Sequence, residues 1–175
     1  TFVDKPILSA KAKVESEIFT ALKKYEPRVT VKQVEWYADV DGIISVFILY
    51  TALKKCGANV DYEIPDRIKD GYCINENIVK VAYDEGVDTI ITCDNGISAI
   101  DQIQYAKDLG LTVIVTDHHD VPFIEEDGVR TFLSSQADAI INPKQIECEY
   151  KFKSICGAGV AFKLMEALYE EIGMD

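Results

Sequence analysis

Three short, continuously apolar runs separated by helical patterning constrain this chain more than any other feature: VDTIITCDNG (87–96), LTVIVTDHH (111–119) and ADAIINP (137–143). A strand with one wet face alternates apolar and polar residues, whereas these read as buried on both faces, the signature of a parallel sheet covered by helices. Between the first two lies ISAIDQIQYAKDLG, apolar at helical spacing and closed by Gly110. An acidic loop, Ile124 to Gly128, precedes the third run, and GAGVAFKLMEALYEEIG follows as a terminal helix.

The same alternation extends upstream. VEWYADVDG reads as a strand and IISVFILYTALKKCG as a helix whose last turn carries Lys54 and Lys55 before Gly57. VDYEIP reads as a short strand and ENIVKVAYDEG as a helix ending at Gly86. AKAKVESEIFTALKKYE, before Pro27, reads as an amphipathic helix packed on the sheet. The expected fold is a doubly wound α/β domain, its sheet mostly parallel, with helices on both faces.

A length of 175 residues, 48% of them hydrophobic, suits one domain better than two. No apolar run approaches the ~20 residues of a membrane span, and no leader sequence is visible, so no membrane partner is expected. Cys56, Cys73, Cys93, Cys148 and Cys156 show no CxxC spacing. They read as reduced thiols of a cytoplasmic protein, small core residues rather than a zinc site. The formal net charge of -12 argues against a nucleic-acid surface taken alone, because phosphate contacts need Lys and Arg. It is compatible with an ordinary acidic surface, or with a carboxylate-lined site that needs cations before it attracts anions. The start at Thr1 rather than Met reads as a fragment.

In an open parallel sheet, ligands bind beyond the carboxyl ends of the strands. The sequence places Asp39 and Asp41 (ADVDG), Asp94 (TCDNG), and Asp117, His118 and His119 (TDHH) at such ends, and those histidines are the only 2 in the chain. Singly, each acid could cap a following helix or accept a phosphoryl group, and the histidines could be hydrogen-bonded in a loop. Together they point to metal ligation, since converging carboxylates repel one another unless cations sit among them. Oxygen donors with one or two imidazoles suit Mn²⁺ or Mg²⁺ before Zn²⁺ or Fe²⁺. Two such ions about 3.5–4 Å apart can brace an in-line attack on phosphorus. Gly42 and Gly96, each directly after or near an acid, let backbone approach a ligand closely.

The DVDG, TCDNGISA and DHH segments resemble the first three motifs of the DHH phosphoesterase superfamily. LKKCGANVDYEIPDRIKDGYCINE, GVDTIITCDNGISAID, LGLTVIVTDHHDVP and AIINPKQIECEYKFKSICGAGVAFKL are similar to its RecJ-like branch, roughly over residues 39 to 168. The resemblance implies a hydrolase with two Mn²⁺ or Mg²⁺ ions that degrades single-stranded DNA from the five-prime end, in repair and recombination. It assigns Asp39, Asp41, Asp94, Asp117 and His118 to the metals and His119 to the scissile phosphate, with His118 and His119 both catalytic, helping to orient or neutralise the phosphodiester. Arg67 and Lys144 stand as candidate phosphate contacts. Residues 1–175 then form a single DHH-type domain, without the family's fourth motif and its DHH-associated domain. Tyr37 stands where the family's first aspartate is expected, so one ion should bind firmly and a second poorly. Two rivals follow: a degenerate scaffold that binds partners or single strands without cutting, and a phosphodiesterase for short oligonucleotides or cyclic dinucleotides.

Overall fold

A computed structural model describes residues 40–65 and 74–174. The amino-terminal helix, most of the VEWYADVDG segment, Asp39 and Arg67 lie outside the described residues. What is described belongs to one unit, Tyr37–Asp175.

Helices α1 (Val40–Lys55) and α2 (Glu76–Asp84) precede strand β1 (Thr89–Cys93), helix α3 (Ile100–Asp108) and strand β2 (Thr112–Thr116). A hairpin of β3 (Phe123–Glu126) and β4 (Val129–Phe132) follows, then β5 (Ala139–Ile141) and helix α4 (Gly157–Ile172). Strands β1, β2 and β5 form a parallel sheet in the order β1-β2-β5, with Cys93 opposite Thr116 and Thr116 opposite Ile141. Side chains alternate between faces along each strand. On one face Ile90, Val113 and Val115 pack with Val79 of α2 and Ile103 and Ala106 of α3. On the other, Ile91 and Cys93 meet Leu49 of α1 and Ala161 and Met165 of α4. The chain is therefore an α/β fold with helices on both faces of a parallel sheet, and β2, whose Val113 and Val115 are fully buried, is its centre.

Local chemistry explains the boundaries. Asn75 caps α2, its side chain accepting from Ile78 N at 2.9 Å. Helix α3 starts at Ile100 rather than Ile97, and the Ile97 N–H in the turn before it donates to Asp117 Oδ2 at 2.9 Å. Two expectations fail. VDYEIP forms no strand: its Asp61 turns back to accept the Tyr62 N–H, and Pro65 has no N–H to give a ladder. The acidic loop Ile124 to Gly128 is instead the tip of the β3–β4 hairpin, paired antiparallel with Glu126 opposite Val129. Asp127 and Gly128 both have positive φ, 50° and 78°, which is what a two-residue hairpin turn demands. No helix among the described residues is long and apolar enough to cross a membrane.

Candidate metal centre

The register of the sheet builds the site. Because Cys93 pairs with Thr116, the residues just beyond them, Asp94 and Asp117, leave the same edge of the sheet side by side. Thr116 Oγ1 donates to Thr92 O at 2.7 Å, tying the two strand ends together, and the Asp117 N–H continues the ladder to Ile141 O. After β1 the chain turns sharply: Asp94 itself has φ 55°, unusual for a non-glycine residue. Gly96 (φ 107°) finishes the turn, and a Cβ there would lie 2.5 Å from Thr92 Oγ1, the hydroxyl that braces the turn by donating to Asn95 O.

Three elements converge on Asp94. His118, just past β2, brings Nε2 to 2.9 Å from Asp94 Oδ1 and 3.6 Å from Asp41 Oδ2. Asp41 arrives from the first turn of α1, not from a strand end. Its carboxylate is clamped by the amino terminus of α4: Gly157 N donates to Oδ2 and Ala158 N to Oδ1, both at 2.7 Å. The positive end of a helix favours negative charge, and the two N–H groups fix the position of the Asp41 carboxylate. Gly157 has a second role. A Cβ at that position would fall 2.5 Å from Asp94 Oδ1, so only glycine lets α4 come this close.

Ligating atoms of Asp94, His118 and His119 lie within 4.8 Å of one another, the one such group among the described residues. The Asp94 side chain is only 7% exposed, and its buried Oδ1 makes no hydrogen bond of good geometry despite the nearby imidazole. A buried carboxylate oxygen left in that condition is costly unless something else satisfies it. Burial first, and the neighbouring Asp41 carboxylate second, push the Asp94 carboxyl up to about 6, while His118 and His119 pull the other way. A divalent cation between Asp94, Asp41 and His118 would satisfy the oxygen and relieve the repulsion together. The residues present fit one.

Asp117, expected as a ligand, sits in a dense set of hydrogen bonds. It is 1% exposed, and its Oδ1 receives the N–H groups of His118 (2.7 Å) and His119 (3.1 Å) together with His119 Nδ1 (2.6 Å). Oδ2 receives Ile97 N. Four donors therefore meet this carboxylate, three of them on Oδ1. Lys144 lies at the rim, with Nζ 2.9 Å from Asp120 Oδ1, which holds the Asp120 carboxyl below its ordinary range. Two positioning residues had not been singled out from the sequence. Asn142, 2% exposed, donates to His119 O at 2.9 Å and accepts from Lys144 N at 2.7 Å. Gly157 is the other. Both stand in the INPK and GAGVAFKL segments, so the pattern marked the stretches without giving the contacts.

A family model described as the DHH family, N-terminal domain, matches residues 34–175. The chain is 45% identical over 134 residues to the single-stranded-DNA-specific exonuclease RecJ of Bacillus subtilis (strain 168), covering 77% of this chain and 16% of that protein. It is 40% identical over 131 residues to the protein of the same description from Escherichia coli (strain K12), covering 74% of this chain and 21% of that one. A crystal structure of exonuclease RecJ bound to manganese superposes with a TM-score of 0.65 at 31% identity, covering 78% of this chain and 32% of that one. The chain thus spans about a fifth of the length of these curated relatives. With the motif-bearing loops gathered at one sheet edge and the match running through all of them, the chain belongs to the DHH family, on its RecJ-like branch.

Proposed function

We propose that this chain carries the hydrolytic centre of a RecJ-type exonuclease for single-stranded DNA, acting in DNA repair and recombination in the cytoplasm. The observation that carries the reading is the buried Asp94 Oδ1, without a good hydrogen bond and 2.9 Å from His118 Nε2. Such a pair is an incomplete coordination sphere. Its oxygen-rich donors suit Mn²⁺ or Mg²⁺, and the likeness to a manganese-bound RecJ agrees. The unpaired thiols of Cys56, Cys93, Cys148 and Cys156 fit a reducing compartment.

Asp41, Asp94 and His118 would hold the ion, joined by Asp39 from the segment before α1. When bound, a divalent cation supplies charge for the phosphate oxygens and acidity for a water. The protein's own residues do the rest. The α4 amino terminus and Asp117 keep the donors fixed, so no reorganisation is needed when substrate arrives. His119, 58% exposed beside them, would orient the scissile phosphate or exchange a proton with it. Lys144 is positioned to trade Asp120 for a phosphate oxygen, and Arg67 is assigned the same duty. A net charge of -12 then ceases to be an obstacle, because the cation makes the acidic edge attractive to an anion.

The test is hydrolysis of labelled single-stranded and duplex DNA by the protein in Mn²⁺, with a chelator and with Asp94→Asn. Mn²⁺-dependent release of nucleotides from single strands alone, abolished by the substitution, is expected. Hydrolysis indifferent to both chelator and substitution would sink the reading. Binding without cutting would favour the scaffold rival, and preference for a dinucleotide over a long strand the third.

A further inference from the structure

The Asp117–His119 contact carries more than the family's pattern assigns. We propose that Asp117 is a positioning residue for His119, holding the proton on Nδ1 so that Nε2 is the ring nitrogen offered to the substrate. This rests on the reading of the site as a phosphodiesterase centre only for the identity of what Nε2 meets; the pairing itself stands on geometry.

Three observations support it. Asp117 Oδ1 lies 2.6 Å from His119 Nδ1, and a carboxylate that already receives three backbone N–H groups acts as an acceptor. The nitrogen facing it must then be the donor, which fixes the tautomer. Second, the His119 backbone is held as well, because Asn142 Nδ2 donates to its carbonyl at 2.9 Å. Backbone and ring are therefore both restrained, although the side chain is 58% exposed. An exposed imidazole without such restraint would sample several rotamers. Third, Asp117 ties together the two loops of the site. By receiving Ile97 N from the loop after β1 and His118 and His119 N from the loop after β2, it sets the distance at which His118 meets Asp94. A carboxylate orienting an imidazole from behind is a common device at metal and acid–base sites.

The chain has only 2 histidines, so a two-bond ¹H–¹⁵N correlation spectrum of histidine-labelled protein is directly readable. We would record it with chelator at pH 8, assigning the pair with a His118→Gln variant. In the unsubstituted protein His119 should carry its proton on Nδ1. In Asp117→Asn, an amide that can no longer accept from all four donors, the ring should move to the Nε2–H form or to a mixture. A His119 bearing its proton on Nε2 alone in the unsubstituted protein overturns the proposal, and this decides even where Asp117→Asn does not fold. An Nδ1–H ring unchanged by the substitution in a folded variant overturns it as well. A parallel calorimetric Mn²⁺ titration of the unsubstituted chain separates the two readings. An Nδ1–H ring without Mn²⁺ binding would remove the metal centre and leave the pairing. Binding with an Nε2–H ring would do the reverse.

Discussion

Gly157 meets Asp94 with no room for a methyl group: a Cβ on the glycine would lie 2.5 Å from Oδ1 and 2.7 Å from the aspartate's own Cβ. The same residue gives its N–H to Asp41. Replacing it should therefore displace two carboxylates at once. Gly157 is the first residue of its helix, after the N-cap Cys156, and alanine is no worse a helix former than glycine, so Gly157→Ala would not harm an isolated helix. In the protein it should weaken Mn²⁺ binding by about 10–100-fold, the usual cost of disturbing residues that hold ligands in place. Ala167→Gly, at an exposed position of the same helix, is the control: it lowers helix propensity without touching a donor of the site, and Mn²⁺ affinity should stay as it was. Calorimetry on both variants decides; equal losses, or none at Gly157, would contradict the assignment.

Ile103 belongs to a different part of the molecule. It is fully buried among Val79, Val113 and Val115, on the face of the sheet away from α1 and α4. Ile103→Ala should cost about 2–5 kcal/mol through lost burial and the cavity left behind. Mn²⁺ affinity of the still-folded variant should be unchanged, because no donor of the site rests on that helix. Denaturant melts with and without Mn²⁺ check both halves.

The sheet and its helices were legible because continuous apolar runs ending in glycine-closed helices admit few arrangements. The site was legible as a set of acids at strand ends, yet the partners within it were not. Asp94 and Asp117 look alike in sequence, each following an apolar strand. What separates them is the turn at Asp94, with its left-handed backbone, which leaves Oδ1 without a good donor, whereas Asp117 gathers four. Asp41 read as a strand end and stands in a helix, because a DVDG segment can close a strand or open a helix equally well. The hairpin had a readable signal that acidic composition masked: the Asp127-Gly128 pair between FIEE and VRTF.

That hairpin leads to another expectation. All eight residues of β3 and β4 are exposed, and the pair is held by its own ladder, the Phe123–Phe132 contact and the Arg130 guanidinium over Phe123. A two-stranded hairpin alone in water is marginal. Its amides should exchange with solvent by local opening, orders of magnitude faster than those of β2, whose exchange should approach the rate set by global unfolding. Hydrogen exchange read residue by residue tests this, and equal protection of Thr131 and Val115 would show that the hairpin is held by more than its own contacts.

The raised carboxyl of Asp94 makes the last expectation, with a definite sign. Its folded value of about 6 stands above the ~3.9 of an unfolded aspartate, so the metal-free fold holds this proton more tightly than the unfolded chain does. Stability from this group is therefore fully present below about pH 4 and is lost as pH rises toward 6, by at most about 3 kcal/mol at 1.36 kcal/mol per unit. Asp94→Asn removes the titrating group, so the difference in stability between variant and parent should grow in the variant's favour across that window. Mn²⁺ should reverse the order above pH 6, because the parent alone keeps the ligand and gains binding free energy. Below pH 6 the ion must displace the proton, so each Mn²⁺ bound should release up to one proton and its affinity should fall as pH drops. Melting curves of both proteins from pH 4 to 8, with and without Mn²⁺, settle the point. A parent that outlasts Asp94→Asn at pH 8 without metal would show that Asp94 is stabilised by the protein itself and is not waiting for a cation.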